Sequence, residues 1–298
     1  MNHLVSFADT RLKRSHVRLL KQAKEMNFFD KIHLFNENDL SVEFRKEFKD
    51  KLVPGSRGFG YWSWKPEIIL NVLNKIEEED CLLYLDAGCH LNSNGKKRLA
   101  EYFDILKNNN KGIIAFQTIL PNNENSSLVW DGRELLNWPI SHWTKGDLLD
   151  YFGFRDNQLV TNTQCIVSTL ILIKKCKTSL GIIKQWQNII IERFDLLDDT
   201  PSLTPNLTGY IEHRHDQAIW SLICVKNEIK TLSHFEQWYP KPGSEVSDWK
   251  ALHDFPIHAK RDKDRGILLN FLRRFMIIIM LICRVRTRSF RNSKGKFF

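Results

Sequence analysis

The chain has 298 residues, 42% hydrophobic and 27% charged, so it can bury a large core and falls in the soluble globular class rather than the disordered, collagenous or membrane-spanning ones. Its formal charge of +9 sits at one end: residues 260–298 hold twelve Lys/Arg against Asp262 and Asp264, which leaves the rest neutral to within one charge. The six cysteines form no C-x-x-C pair, and Cys81, Cys165 and Cys224 lie in apolar runs, which predicts free thiols in a reducing, cytosolic compartment. Met1 to Phe7 shows no cationic leader, long apolar segment or cleavage site, so no signal peptide is expected and the sequons at Asn125 and Asn206 carry no weight.

In chain order, apolar β-rich runs at 3–7, 31–35, 81–86, 112–116 and 165–173 read as strands. Helical patterns fall at 12–27, 66–77, 96–107, 144–152, 178–194 and 215–227. Strands separated by single helices predict an α/β fold, a mainly parallel sheet with helices on both faces. Pro66 suits a first helical turn and biases Lys65 towards an extended conformation, which places Lys65 in the loop before that helix. Thr144-Lys145-Gly146-Asp147 reads as a variant capping box with Gly153 as the stop. Residues 196–211, with Pro201, Pro205 and Gly209, read as a long loop able to order over a ligand.

Three clusters carry chemistry. Ligands of open α/β sheets gather beyond the carboxyl ends of strands, and Asp86 ends the apolar run Cys81 to Leu85; an Asx turn into Ala87-Gly88 is the bland alternative. The second cluster is Arg57-Gly58-Phe59-Gly60-Tyr61-Trp62-Ser63-Trp64-Lys65-Pro66. Trp62 and Trp64 can plug a core, while glycines admit a ligand to the backbone, Arg57 and Lys65 suit phosphate oxygens, and a ring face can stack on a base or sugar. The third is Glu212-His213-Arg214-His215-Asp216-Gln217, just before the apolar helical run from Ala218. Capping accounts for an acid there; two imidazoles, an arginine and an amide around it go beyond capping. His258, beside Lys260 and Arg261, stands where a returning segment could close a site. Asp86 with one of these imidazoles or Asp216 would suit Mg²⁺ or Mn²⁺, whereas no Cys/His spacing fits a structural zinc.

At these residues the chain resembles GT-A-fold, nucleotide-sugar-dependent glycosyltransferases of bacterial surface polysaccharide assembly. The matching pieces are Ser6-Phe7-Ala8-Asp9, Gly58 to Pro66, Tyr84-Leu85-Asp86-Ala87-Gly88-Cys89, Gln164 and His213 to Gln217, in consistent order over residues 3–265. The resemblance implies donor contacts from Phe7, Ala8, Asp9, Arg57, Gly58, Tyr61, Trp62, Lys65, Asp86, Ala87 and Gly88, with Asp216, His215 and Gln217 at the catalytic end. It puts Asp86 at the first position of the family's Asp-x-Asp metal motif, with Gly88 replacing the second aspartate. A divalent cofactor (Mn²⁺ or Mg²⁺) would then rest on Asp86 plus a distant ligand, His258 or Asp216. Asp216 would serve as base in an inverting reaction, or position the sugar in a retaining one.

The resemblance divides the chain into a catalytic domain at 1–265 and a tail at 266–298. That tail holds the apolar run Phe275 to Cys283, too short for the ~20 residues of a spanning helix and flanked by cations from Arg273 onward. It reads as a helix lying on an anionic membrane surface, which places the protein on the inner face of the cell membrane with a glycan or lipid-linked glycan acceptor. A nucleic-acid binder is the rival from another class, disfavoured because the tail's cations lie far from the aromatics. A sugar-1-phosphate nucleotidyltransferase is the rival on a similar sheet, but residues 7–11 lack a glycine-rich loop to cradle a triphosphate.

Overall fold

The computed structural model describes residues 1–119, 129–130, 133–134, 138–238 and 250–262. The basic tail at 266–298 lies outside the described residues.

From the amino terminus the chain runs through β1 (Asn2–Phe7), α1 (Lys13–Met26), β2 (Lys31–Phe35), α2 (Val42–Glu47), the distorted turn α3 (Gly58–Tyr61), α4 (Trp64–Leu73), β3 (Cys81–Leu85) and β4 (His90–Leu91). Next come α5 (Lys96–Lys107), β5 (Ile113–Gln117), the short pair β6 (Val129–Trp130) and β7 (Arg133–Glu134), α6 (Ile140–Trp143), α7 (Gly146–Phe152) and α8 (Gln158–Thr161). The described part ends with β8 (Ile166–Lys174), α9 (Lys177–Glu192), α10 (Asp216–Lys226), β9 (Lys230–Ser233), α11 (Lys250–His253) and β10 (Ile257–His258).

The main sheet has six strands in the order β2-β1-β3-β8-β5-β9. β1 pairs parallel with β2 and β3, and β5 with β9, while β8 runs antiparallel to both β3 and β5. The α/β architecture is therefore the expected one, with a single reversed strand at its centre. Reversal matters for the site: the first residues of β8 lie at the same edge as the last residues of β3. Pairing between β5 and β8 is also interrupted, running through Ile114↔Leu172 and resuming at Phe116↔Val167, so Ser168 and Thr169 sit in a bulge. Bulges of this kind re-aim side chains beside functional sites.

Period-two alternation sends each strand's side chains to two cores. Leu82 and Tyr84 of β3 join Val5 and Phe7 of β1 on the face covered by α4, α9 and α10. Leu83 and Leu85 join Leu4 on the face covered by α1 and α5. Helix spacing matches: α1 buries Ser15, Leu19, Ala23 and Met26, and α5 buries Leu99, Tyr102, Phe103 and Leu106. Helix α10 buries Ala218 to Cys224 without a break, and with each buried Leu, Ile or Val contributing about 1.5–3 kcal/mol its position is fixed by the core.

Two expected boundaries differ in an informative way. The helix expected from Pro66 begins at Trp64, so Lys65 lies inside its first turn; Pro66 is still among the positions whose N–H needs no helical partner. The expected capping box at Thr144 does not form: Lys145 is the N-cap residue without a side-chain cap bond, and Asp147 instead accepts from Leu203 N and Thr204 N. Together with Lys145, whose ammonium donates to the carbonyls of Asp195, Asp198 and Thr200, it braces the loop at 196–211. Gly153 does stop α7, at φ 69°.

The returning segment is held across the sheet edge. β10 pairs antiparallel with β4, and Ala259 N donates to Gln237 O at 2.7 Å. Beneath it, Glu236 accepts from Tyr102 Oη at 2.6 Å and from Arg98 Nε and Nη2 at 2.7 and 2.8 Å. Glu236→Leu strands a buried hydroxyl and a guanidinium and should lower the stability read from urea unfolding by about 2–4 kcal/mol, against about 1 kcal/mol for Tyr102→Phe. Equal, small effects from the two variants would show that the pair does not hold this segment.

Candidate active site

A cavity of about 340 Å³ opens at the carboxyl edge of β1 and β3, between Phe7, Arg57, Trp62, Asp86, His215 and Arg261. Its floor is built around one ammonium. Lys65 is 2% exposed, and its Nζ lies 2.7 Å from Asp216 Oδ2 and 3.2 Å from Asp86 Oδ1. The same Nζ donates to the Ser168 carbonyl at 3.1 Å and lies 3.2 Å from Ser168 Oγ, which itself donates to Asp216 Oδ2 at 2.6 Å. Tyr84 Oη donates to Asp86 Oδ1, and its ring lies 5.6 Å below the ammonium.

Each partner is delivered by a different element: Lys65 by α4, Asp86 by the end of β3, Ser168 by the β8 bulge and Asp216 by the first turn of α10. Burial alone would lower the Lys65 pKa, but Asp216 and Asp86 override it and hold the ammonium charged. Burial pushes the Asp86 carboxyl up from the ordinary carboxylate range, which Lys65 and the Tyr84 hydroxyl offset in part. Asp86 keeps 29% of its side-chain surface open to the cavity, whereas Asp216 keeps 6%.

The aromatic turn divides its residues between core and cavity. Gly58, Phe59, Gly60, Tyr61 and Trp62 all have positive φ, between 50° and 84°, a left-handed run that costs roughly 1–2 kcal/mol for each non-glycine member. A Cβ on Gly58 would fall 2.3 Å from the Trp62 ring, so glycine is required there. Trp64 stacks on Phe7 at 4.0 Å and donates Nε1 to the Gly58 carbonyl at 3.1 Å, a core role. Trp62 and Arg57 line the cavity, and Arg57 Nη1 lies 3.3 Å from Asp199 Oδ1 at the surface. Tyr61 instead packs against His215, with ring centroids 5.1 Å apart.

In the third cluster, His213 is structural: Nε2 donates to Leu196 O at 2.9 Å, and burial holds its pKa well below the ordinary value. His215 sits at the N-cap of α10 with φ 50°, donates Nδ1–H to Leu197 O at 2.8 Å and presents Nε2 3.6 Å from Asp199 Oδ1; burial lowers its pKa as well. Arg214 stacks over Trp138 and Trp143, 4.9 and 4.5 Å from the ring centres. Gln217 lines the cavity beside Asp216.

The structure thus brings Phe7, Arg57, Trp62, Lys65, Asp86, Ala87, Gly88, His215, Asp216 and Gln217 to one cavity. Ala8 and Asp9 line a neighbouring hollow of about 390 Å³ with Thr10, His16, Asn36 and Asn38, where Asp9 caps the turn at Thr10–Leu12 and pairs with Arg11. Expectations change at Gly58 and Tyr61, which are not among the cavity's lining residues, and at Lys65 and His258, while Gln164 among the matching pieces has a packing role. Lys65 is not a loop cation open to a ligand; its donors are committed to Asp86, Asp216 and Ser168. Gln164 is structural, its Oε1 accepting from Trp138 N at 2.8 Å. His258 does not reach Asp86: it lies on β10, its Nε2 donating to Leu252 O at 2.8 Å, and it is not among the cavity's lining residues.

A divalent ion on Asp86 would need several further oxygen or imidazole donors. Asp86 Oδ1 already holds an ammonium and a hydroxyl, position 88 has no side chain, and among the described residues no three of His, Cys, Asp or Glu gather into a metal-holding group. The residues described do not fit a protein-built divalent site.

Sequence reasoning missed Ser168, Thr169, His234 and Asp262, which also line the cavity. Ser168 is one small polar residue in an apolar strand, and only the strand's reversal and bulge bring it to the carboxyl edge. The tripeptide Ala259-Lys260-Arg261 next to His258 held the available signal for the returning segment.

No family model matches the chain, and no curated protein matches it. Among solved structures it is similar to mouse xyloside xylosyltransferase 1, with 9% identity over 87% of this chain and 97% of that one and a TM-score of 0.43. It is also similar to a glycosyltransferase involved in glycosylation of the major capsid of PBCV-1, with 12% identity, 89% and 98% coverage and a TM-score of 0.43. A third is the galactosyltransferase LgtC in complex with donor and acceptor sugar analogs, with 12% identity, 86% of each chain and a TM-score of 0.42.

Two outcomes test the site. Lys65→Met leaves Asp216 buried beside no cation and should cost about 3–5 kcal/mol, while Lys65→Met/Asp216→Asn should recover much of it; additive losses in urea unfolding would disprove the shared ion pair. His213 and His234, the latter lowered to about 3 by burial, are 6% and 5% exposed and stay neutral in the fold, whereas in the unfolded chain they protonate near 6.5. Their folded pKa values are depressed, so protons favour the unfolded state. Stability should be full above 6.5 and fall as pH drops towards 3, by about 1–2 kcal/mol per histidine at pH 5. A His234→Gln protein should show a shallower loss over this window, and an unchanged slope would contradict the assignment.

Proposed function

We propose that the protein is a glycosyltransferase of GT-A type that moves a sugar from a nucleotide-sugar donor to a hydroxyl of an acceptor. The observation that carries this reading is the anchored pair Asp86 and Asp216 on Lys65, set in the floor of a cavity whose walls carry aromatic and guanidinium groups at the carboxyl edge of the sheet. When a sugar leaves a nucleoside diphosphate, C1 gains positive charge and the diphosphate gains negative charge. Fixed groups facing each centre lower the barrier because they need no reorganisation during reaction.

Asp216 has Oδ2 committed to Lys65 and Ser168, which suits a fixed anion beside developing positive charge better than a base that must accept a proton. Asp86, more open to the cavity, faces the sugar or the incoming hydroxyl. Arg57 supplies charge-assisted donors to the diphosphate, and the face of Trp62 suits stacking on a base or sugar ring. Donor contacts from Ala8 and Asp9 extend this reading into the adjoining hollow at the end of β1. The acceptor we favour is a lipid-linked surface glycan at the inner face of the cell membrane, supported by the cation-flanked apolar run at 275–283.

Purified protein incubated with a panel of nucleotide sugars should release one nucleoside diphosphate, faster with acceptor glycan. Asp86→Asn and Asp216→Asn should each cut kcat by about 10²–10³ fold, the order of ~3–4 kcal/mol for one preorganised contact, while both remain folded. Full turnover in both, or release of pyrophosphate from a nucleoside triphosphate instead, would remove the assignment.

A further inference from the structure

The absence of a second carboxylate at position 88 has a structural counterpart. A Cβ on Gly88 would fall 3.3 Å from Arg261 Cα and 3.5 Å from its carbonyl carbon, and Gly88 O accepts from Asp262 N at 3.1 Å. The returning backbone therefore lies in tight contact with position 88, and a side chain there would require it to give by a few tenths of an ångström. It crosses there with Arg261 in the left-handed region, φ 53°, a conformation that costs a non-glycine residue about 1–3 kcal/mol and is retained where surrounding contacts impose it. The crossing is held from below by Arg18, whose Nη2 donates to Ala87 O at 2.6 Å and whose Nη1 lies 3.4 Å from Asp262 Oδ2. Arg261 lines the cavity together with Arg57 and Asp86.

We infer that this crossing replaces a metal ion with a guanidinium: Arg261 is a direct contact for the diphosphate of the ligand, and diphosphate binding here needs no divalent cation. The inference rests on the sugar-transfer reading for the identity of the ligand, and on Gly88 and Arg261 for the way it is held. Lys65 occupies Asp86 Oδ1, the returning backbone crowds position 88, which has no side chain, and the same backbone delivers a permanent cation to the cavity wall. A guanidinium offers parallel N–H donors that match two phosphate oxygens and stays charged throughout the accessible pH range.

The test is calorimetric titration of the full chain with inorganic pyrophosphate and with a panel of nucleoside diphosphates, in EDTA and in Mn²⁺. Expected is binding in EDTA within about threefold of that in Mn²⁺, weakened about 10- to 100-fold by Arg261→Gln and by a smaller factor by Arg261→Lys, which keeps the charge but loses the paired donors, with unfolding temperatures close to the parent's. Arg261→Lys guards against a merely structural effect, since it keeps the charge and the stem at the same strained position. Binding that requires Mn²⁺, or that ignores Arg261→Gln, overturns the inference while leaving the sugar-transfer reading standing. Failure of pyrophosphate and every nucleoside diphosphate to bind in either condition overturns both.

Discussion

One buried ammonium organises this molecule's chemistry. Lys65 Nζ is the point where α4, the end of β3, the β8 bulge and the first turn of α10 meet, through Asp86, Ser168 and Asp216. Withdrawing these charges from water costs several kcal/mol per ion, and their mutual attraction returns little beyond that, so the cluster adds little net stability. Its effect is on position. Displacing α4 leaves Asp216 buried without its cation, at about 3–5 kcal/mol, and displacing the β8 bulge removes the Ser168 carbonyl and hydroxyl from the ammonium, so the cluster ties the placement of Asp86 to that of Asp216. Counting Lys65 against two aspartates, the cluster presents net negative charge to the cavity floor, and the cations that face it come from the walls.

Those walls are built from strained backbone. Trp62, His215 and Arg261 line the cavity with φ of 59°, 50° and 53°, and Phe59 and Tyr61 lie in the same left-handed run as Trp62. At about 1–3 kcal/mol each, such conformations persist where packing over-determines them. Phe59 and Trp64 both stack against Phe7, and α10, buried from Ala218 to Cys224, fixes the chain just after His215. The core thus holds in place a rim that local preference would relax, and the rim is where a ligand would be gripped.

Much of this was legible in the sequence because it is periodic. The runs that became β1, β2, β3, β5 and β8, and the patterns that became α1, α5, α9 and α10, stand out as apolar runs or 3.6-residue spacing, and their ends moved by at most two residues. Strand direction is not written in composition: β8 is as apolar as a parallel strand buried on both faces, and its reversal follows from chain path. That is why Ser168 was missed. Asp86, Asp216 and the aromatic turn were legible as chemistry-bearing types at strand and helix ends. Lys65 was found for the wrong reason: the bias of proline on its predecessor was outweighed by a helix that starts two residues earlier, turning a presumed ligand contact into the core of the ion cluster. His258 showed the reverse, a good residue type drawn off by the Leu252 carbonyl.

A cation that belongs to the chain behaves differently from one borrowed from solution. An ion bound at a carboxylate pair can shift its coordination as charge moves during reaction, but it must first be captured, and its presence follows supply. A guanidinium on the returning segment is present in every molecule, at a location set by Gly88, Arg18 and the β4–β10 pairing rather than by ligand exchange. It cannot follow a migrating charge, so the geometry must be right beforehand. That requirement accounts for the bracing beneath the crossing: the Glu236 triad fixes the neighbouring stretch, and the Gln237–Ala259 bond ties the returning segment to it two residues before Arg261 enters the cavity. Preorganisation of the phosphate contact and rigidity of the returning segment are, in this fold, a single physical demand.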